Sequence, residues 1–276
     1  MRQRAIRTVL WLAFAASLAG NFTLAGLLYR AFGDVQFSRV FPFGYVPNGD
    51  LPLGGQAQDT RPILAFYGDS RIADWRAPPV LQGYRLVNLA HGGQTSGQLL
   101  AQLRMQPPVT SELSVLGVGI NDLHPIGSLP RLRADILRQL RSNYAEVLDA
   151  LQARSRRVVV MTVIPPGPVP FQRRPLWDGT TRSEVRAFNQ FVQDIAAARG
   201  MPLLDAERLL GDGTGNLRAE YVDPSFFLHV NSAAYAILER ELSSILGESG
   251  LPANSGVRGP DSAEAAARPE LRPERP

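Results

Sequence analysis

Between about residues 62 and 247 the spacing of hydrophobic positions changes period several times. Short runs rich in valine, isoleucine and leucine are typical of strands that are buried on both faces of a parallel sheet. Five such runs have strand length: residues 63–67, 86–89, 113–118, 158–164 and 202–204.

Apolar residues with helical spacing separate these runs. One stripe covers residues 132–151, and a second covers residues 185–195, ahead of Gly200, a candidate C-cap. A last helix is predicted over residues 232–246, with Asn231 as a candidate N-cap. Strands that alternate with helices predict an α/β fold, in which a central parallel five-stranded sheet carries helices on both faces.

The N-terminal region has a different pattern, an apolar run with basic flanks. Residues 8–29 are apolar apart from small hydroxyls and Asn21, and about 20 such residues cross a bilayer as a helix. Three arginines precede the run and Arg30 follows it, which places the N-terminus in the cytoplasm. The pattern predicts a single-pass signal-anchor in the inner membrane, with the rest of the chain in the periplasm if the cell is Gram-negative.

A cleaved signal peptide is the competing interpretation, because Ser17-Leu18-Ala19 offers small residues at a cleavage site. The domain would then be secreted, but the apolar run continues to Leu28, which favours an uncleaved anchor. Residues 31–61 are rich in proline and glycine and are predicted to form a connector. Residues 62–249 form the predicted domain, and residues 250–276, with few large apolar side chains, a disordered tail.

Composition and charge exclude several classes of protein. The net charge is only +4 and the basic residues, all arginine, are spread along the chain, which argues against nucleic-acid binding. Without cysteine there is no disulfide, thiolate metal site or cysteine nucleophile. His91 and His124 lack metal-ligand spacing and are interpreted as residues of a cleft rim. Gly117 and Gly119 do not complete a dinucleotide-binding fingerprint, so neither a metal nor a cofactor is expected.

Residues capable of catalysis follow the first predicted strand. Gly68-Asp69-Ser70 comes directly after it, at the carboxyl edge of the sheet where ligands bind in such folds. If a helix follows, backbone N–H groups near Ser70 point toward a developing oxyanion. An Asp-Ser pair is also a common helix cap, so this motif alone does not establish a nucleophile.

Three further residues stand at comparable positions. Gly93 ends an Asn-x-x-x-Gly-Gly motif after the second strand, where a bare backbone amide approaches a ligand closely. Asn121 lies in a Gly-x-Asn-Asp motif after the third strand, where its side-chain amide is a candidate oxyanion donor. His229 precedes the last helix. Each of these alone is typical of a turn or a packed side chain; their order in the chain gives them weight.

Gly-Asp-Ser, Asn-x-x-x-Gly-Gly, Gly-x-Asn-Asp and a late histidine, in this order, resemble the four sequence blocks of the SGNH (GDSL-like) hydrolases. The resemblance covers roughly residues 63–246 and implies a flavodoxin-like three-layer α/β/α sandwich. It implies that Ser70 is the nucleophile and His229 its base. It also implies an oxyanion hole formed by the N–H groups of Ser70 and Gly93 with the side chain of Asn121.

Two positions depart from the family pattern. Arg71 follows the serine where the family often has an aliphatic residue. The usual acid lies three residues before the histidine, and that position is Phe226. Asp223, three residues further back, is the candidate acid; a backbone carbonyl that orients His229 in a dyad is the alternative. Asp205 is another conceivable partner, although a structural role suits it better.

The resemblance implies a serine esterase that hydrolyses a carboxylic ester, with an acetyl or short acyl group on an envelope carbohydrate or lipid. With a sugar hydroxyl in place of water, the same machinery would be an O-acyltransferase. A catalytically silent module that binds glycans or assists assembly is a third hypothesis, because the usual acid position holds Phe226. The retention of Ser70, Gly93, Asn121 and His229 together favours an enzyme.

Overall fold

The computed structural model describes residues 2–40, 60–76, 81, 83–177 and 179–248. Five strands form one parallel sheet in the order β2-β1-β3-β4-β5. This order is that of flavodoxin-like folds. The strands are β1 (Ile63–Gly68), β2 (Arg85–Asn88), β3 (Ser111–Gly117), β4 (Ser155–Met161) and β5 (Leu203–Leu204).

Eight α-helices belong to the described part of the chain. They are α1 (Arg2–Val40), α2 (Ser70–Ala73), α3 (Ser96–Met105), α4 (Ile120–Leu123), α5 (Arg133–Gln152), α6 (Thr181–Ala198), α7 (Ala206–Leu210) and α8 (Ser232–Glu248). Short 3-10 helices cover His124–Gly127, Pro130–Leu132, Phe171–Leu176 and Ala219–Tyr221. Asn231 caps α8 as predicted, since its side chain accepts hydrogen bonds from the N–H groups of Ala233 and Ala234.

Alternate residues of β1 face opposite sides of the sheet. Leu64 and Phe66 pack with α2, α7 and α8, whereas Ala65 and Tyr67 pack with α3, α5 and α6. Burial of each such large side chain contributes about 1.5–3 kcal/mol. The strands are therefore apolar on both faces, and the predicted three-layer sandwich is confirmed.

Strand β4 differs more from its predicted bounds than the other four strands do. The sequence predicts a strand over residues 158–164, but β4 runs from Ser155 to Met161. It starts early because the Ser155 hydroxyl hydrogen bonds to Ser111 and Ser114 in the buried start of β3. It ends early because the N–H of Val163 donates to the side chain of Asn189, at 2.7 Å, and no longer to a strand.

The N-terminal helix α1 contains one segment, Arg2–Gly33, that is long and apolar enough to cross a membrane. Membrane anchors and signal sequences both have apolar segments of this kind near the N-terminus. The helix continues to Val40, into the predicted connector, because no proline interrupts the chain before Pro42. The rest of that connector to residue 59, and the predicted tail, lie outside the described residues.

Candidate active site

The serine turn (residues 68–74) joins β1 to α2 at the carboxyl edge of the sheet. Gly68 has a φ of +151°, and a Cβ there would lie 2.0 Å from the carbonyl oxygen of Gly117. Only glycine allows this approach, which brings the N–H of Asp69 to the Gly117 carbonyl at 3.2 Å. The chain therefore leaves the strand in a tight turn, and Ser70 is the first residue of α2.

Asp69 of the Gly-Asp-Ser motif is a buried helix cap. Its carboxylate accepts a hydrogen bond from the N–H of Arg71 at 3.0 Å and caps α2. Burial raises its pKa to about 6, and the charge of Arg71 acts in the opposite direction. The position of this carboxylate indicates that it holds the turn in which Ser70 lies.

The structure brings Ser70 and His229 together, although 159 positions separate them in the chain. The Nε2 atom of His229 lies 3.1 Å from the Oγ atom of Ser70. His229 belongs to the histidine loop (residues 221–231), which a bridge between Val222 and Val230 closes. Within the loop the N–H of Asp223 donates to the His229 carbonyl, at 3.1 Å.

Arg71 joins the serine turn to the histidine loop. It is 2% exposed, and its Nε donates to the carbonyl of Leu228, the residue before His229, at 2.7 Å. Its Nη1 donates to the carbonyl of Ile164, beyond β4. The residue that departs from the family pattern thus fixes the backbone that carries the histidine.

The carboxylate nearest the other nitrogen of His229 is that of Asp74. Its Oδ2 lies 3.6 Å from Nδ1 of His229. The carboxylate of Asp223 instead accepts hydrogen bonds from the N–H of Ser225, at 2.7 Å, and from its hydroxyl, at 2.5 Å. Asp205 caps α7. The sequence pattern did not single out Asp74; the available signal was its place four residues after Ser70.

The remaining surroundings of His229 are aromatic and cationic. Phe226 meets the imidazole edge-on, with ring centroids 5.0 Å apart. Desolvation lowers the pKa of His229, the charge of Arg71 lowers it further, and Asp74 and Asp223 oppose the shift. The imidazole is therefore neutral at neutral pH, which is the form that accepts a proton.

The two other residues of the predicted oxyanion hole are Gly93, which follows β2, and Asn121, which lies in α4. Gly93, with a φ of +74°, forms an exposed turn after β2. The side-chain amide of Asn121 donates to the carbonyl of Gln94, at 3.0 Å. Asn121 is thus connected to the residue that follows Gly93.

Asp122, beside Asn121, anchors this part of the site. Its carboxylate accepts hydrogen bonds from the hydroxyl of Ser96, at 2.7 Å, and from its N–H, at 2.9 Å. Burial raises its pKa to about 6. These contacts hold α4, which contains Asn121, against the start of α3.

The two remaining histidines lie in different surroundings. His91, predicted on the cleft rim, is buried with its Nε2 atom 3.5 Å from the amide of Gln102, so the rim assignment is wrong for this residue. Burial and the charge of Arg173 lower the pKa of His124. Among the described residues, no group of three or more histidine, aspartate or glutamate side chains is placed to hold a metal ion.

A serine and a histidine in contact at the carboxyl edge of a parallel, doubly wound sheet form an arrangement that serine hydrolases use. A family model for the GDSL-like lipase/acylhydrolase family matches residues 62–237. The chain belongs to this family, and it is a hydrolase of ester bonds. The resemblance to SGNH hydrolases is thereby confirmed.

Solved structures with the same fold include a GDSL-like lipase from Bacteroides thetaiotaomicron, 19% identical, with a TM-score of 0.57 over 72% of this chain and 94% of that chain. An acetylxylan esterase from Geobacillus stearothermophilus is 18% identical, with a TM-score of 0.52 over 67% of this chain and 94% of that chain. A member of the lipolytic G-D-S-L family from Veillonella parvula is 12% identical, with a TM-score of 0.51 over 67% and 98%. A search of curated proteins finds no match.

Proposed function

We propose that the chain is a serine esterase that forms an acyl-enzyme on Ser70. The observation that carries this proposal is the 3.1 Å separation between Nε2 of His229 and Oγ of Ser70. At that distance a neutral imidazole accepts the hydroxyl proton as the oxygen attacks a carbonyl carbon. The lowered pKa of His229 keeps the imidazole in this form at neutral pH.

The reaction needs no component beyond ester and water. Oγ of Ser70 bonds to the ester carbonyl carbon, and His229 takes the hydroxyl proton and passes it to the departing alkoxide. Water then attacks the acyl-enzyme and gives a proton to the imidazole. The acid leaves as Ser70 recovers that proton, so one ester and one water give one acid and one alcohol.

The developing negative charge on the carbonyl oxygen requires donors that are already in place. We assign this role to the N–H groups of Ser70 and Gly93 and to the side-chain amide of Asn121. Ser70 supports the assignment because the first N–H groups of a helix have no partner within the helix. The contact of Asn121 with the Gln94 carbonyl supports it because Gln94 adjoins Gly93 in the chain.

We further propose that α1 anchors the enzyme in the inner membrane, with residues 62–249 on the periplasmic side and residues 31–61 as connector. The apolar segment and the arginines before it support this orientation. The substrate is then an acetyl or short acyl ester of an envelope carbohydrate or lipid. One structurally similar protein is an acetylxylan esterase, and this supports a carbohydrate ester as the substrate.

The test is hydrolysis of p-nitrophenyl acetate by the full-length chain in mild detergent. Ser70→Ala is expected to lower kcat by about 1,000-fold or more, since the nucleophile is lost. Ser183→Ala is the matched control, because that exposed serine bonds only to the backbone of its own helix turn. A fluorophosphonate probe is expected to label the parent chain and the control, but not Ser70→Ala.

Undiminished turnover in folded Ser70→Ala would refute the acyl-enzyme mechanism. If a folded parent chain releases no p-nitrophenol and takes up no probe, the serine is not activated. A catalytically silent binding module would then replace the esterase. Labelling without turnover would instead favour an O-acyltransferase that lacks its acceptor.

A further inference from the structure

The family's usual acid position is Phe226, and its ring lies against the imidazole of His229 with centroids 5.0 Å apart. An aromatic ring cannot accept a hydrogen bond from the Nδ1–H group as a carboxylate does. Another group must select the tautomer that leaves the Nε2 lone pair facing Ser70. The groups near Nδ1 therefore decide how His229 is oriented.

We propose that Asp74 is the positioning acid of this site, and that it orients His229 from the same helical turn that carries Ser70. This inference rests on the proposed acyl-enzyme mechanism and adds to it a residue outside the family's sequence blocks. In the family pattern the acid lies in the same loop as the histidine. Here the carboxylate comes instead from the turn that carries the nucleophile, before the second strand.

The backbone of α2 places Asp74 correctly for this role. Its N–H donates to the Ser70 carbonyl at 2.8 Å, which closes one turn of helix. Side chains four residues apart lie on the same face of a helix. His229 contacts both members of this pair, with Nε2 toward Ser70 and Nδ1 toward Asp74, 3.6 Å from its Oδ2.

The 3.6 Å separation is longer than a hydrogen bond and within ion-pair distance. Catalytic hydrogen bonds are often long in the free enzyme and shorten when substrate binds. The Asp74 side chain is 51% exposed, so it has room to move toward the imidazole. Its interaction strengthens as His229 acquires a proton in the transition state.

Asp223, the competing carboxylate, is engaged elsewhere. Its Oδ1 accepts both hydrogen bonds from Ser225, and these bonds hold the turn at the start of the histidine loop. Its charge also acts on His229, after those of Asp74 and Arg71 in size. A structural role within its own loop accounts for these contacts.

The charged groups that face His229 predict a sign for the pH dependence. Asp74 and Arg71 face it from the serine turn, Asp223 faces it from its own loop, and Arg173 packs over the ring of Phe226. A carboxylate near an imidazole raises its pKa. Removal of the Asp74 charge must therefore lower the pKa of His229 and move the acid limb of kcat/KM to lower pH.

The experiment compares Asp74→Asn with Asp223→Asn in the full-length chain, with p-nitrophenyl acetate as substrate. Rates are measured over about 5 pH units, from pH 4 to pH 9, a range that includes the ordinary pKa of a histidine side chain. Asp74→Asn is expected to lower kcat by about 100-fold with little change in KM, and to shift the acid limb down by about one pH unit. Asp74→Glu restores the charge and is expected to recover part of kcat and the position of the limb. Asp223→Asn is expected to stay within about threefold of the parent chain, since its contacts are surface ones.

Two outcomes would overturn the assignment of Asp74. One is an Asp74→Asn chain, folded by circular dichroism, with kcat within about threefold of the parent and an unmoved acid limb. The other is a larger loss in Asp223→Asn than in Asp74→Asn. Ser70→Ala separates the two proposals: if it abolishes turnover while Asp74→Asn does not, only the role of Asp74 fails. If Asp74→Asn does not fold, Asp74→Glu is compared with Asp223→Asn instead. A larger loss of kcat in Asp74→Glu supports the assignment of Asp74, and a larger loss in Asp223→Asn overturns it.

Discussion

The serine turn and the histidine loop meet at one contact but are held in different ways. In the serine turn Asp69, Arg71 and Ile72 are buried, and Gly68 lies against the backbone of β3. The histidine loop is half-buried and is closed mainly by bonds between its own backbone groups. A buried charged side chain from outside the loop, that of Arg71, also binds its backbone at the Leu228 carbonyl.

This difference indicates that the serine turn positions His229 as well as Ser70. Arg71 fixes the Leu228 carbonyl, and Asp74 lies beside the far nitrogen of His229. The histidine loop supplies the imidazole but few of the groups that orient it. His229 itself apart, changes in the serine turn should therefore affect activity more than changes in the loop or its supports.

Among variants of the groups that support the two regions, the largest effect is expected for Arg71→Met, which removes the bond between the serine turn and the Leu228 carbonyl. Two buried carbonyls, of Leu228 and Ile164, lose a charged donor. The free energy of unfolding should fall by about 3 kcal/mol. We expect kcat to fall as well, by a larger factor than that by which KM changes. Urea unfolding followed by tryptophan fluorescence measures the first, and ester hydrolysis the second.

The control for this variant is Arg104→Met. Arg104 is an exposed arginine paired with Glu146, and such surface pairs contribute about 0–1 kcal/mol. Equal loss of stability in the two variants would show that burial of Arg71 carries no special weight, and the comparison of the two regions would fail.

A smaller effect is expected for Gly167→Ala, which disturbs the histidine loop from behind. The N–H of Gly167 donates to the Phe227 carbonyl at 2.8 Å, and an added Cβ would lie 2.8 Å from that oxygen. The loop must shift, at a cost of about 1–2 kcal/mol. We expect kcat to fall about tenfold, a loss that corresponds to about 1.4 kcal/mol in the barrier.

Gly179→Ala is the matched control, since an added Cβ there meets no atom within 4 Å. Stability and kcat measured on both variants sharpen the comparison. If Gly167→Ala left kcat at the level of this control, the loop would be more tolerant of displacement than its contact with Ser70 implies.

The smallest effect is expected for Tyr235→Phe. The Tyr235 hydroxyl donates to the Arg71 carbonyl at 2.9 Å, from α8 to the serine turn. Loss of one such bond costs about 1 kcal/mol. Because Arg71 and Asp69 still hold the turn, kcat should stay within about threefold of the parent value. A tenfold loss in the same assay would mean that the turn depends on α8 and not on its own buried groups.

Much of this fold was predictable because its strands are apolar on both faces. Long amphipathic helices were equally clear, and α5 and α8 lie within two residues of their predicted bounds. Helix α3 was not predicted, because Gln98 and Gln102 interrupt its apolar stripe. Gln102 is buried and bonds to Gln94, a pairing that depends on the tertiary structure. The Thr95–Gln98 capping box was the local signal that could have revealed this helix.

For the candidate site, sequence order was enough to place Ser70 and His229 together. It could not indicate which carboxylate faces Nδ1, since that depends on the rotation of a four-residue helix. Asp223 was favoured because it lies near His229 in the chain, whereas Asp74 is near it only in space. The importance of Arg71 was hidden for the same reason, as its partners are 157 and 93 positions away.

The separation of Ser70 and His229 by 159 positions also sets the order of events when the protein is made. The serine turn is synthesised early, whereas the histidine loop and helix α8 are synthesised much later. Contacts between distant parts of a chain form late in folding, because the intervening loop must first be closed. In a nascent chain that ends before His229, Ser70 therefore has no imidazole beside it. Under the proposed mechanism, ester hydrolysis begins only after the histidine loop has been synthesised and has folded onto the serine turn.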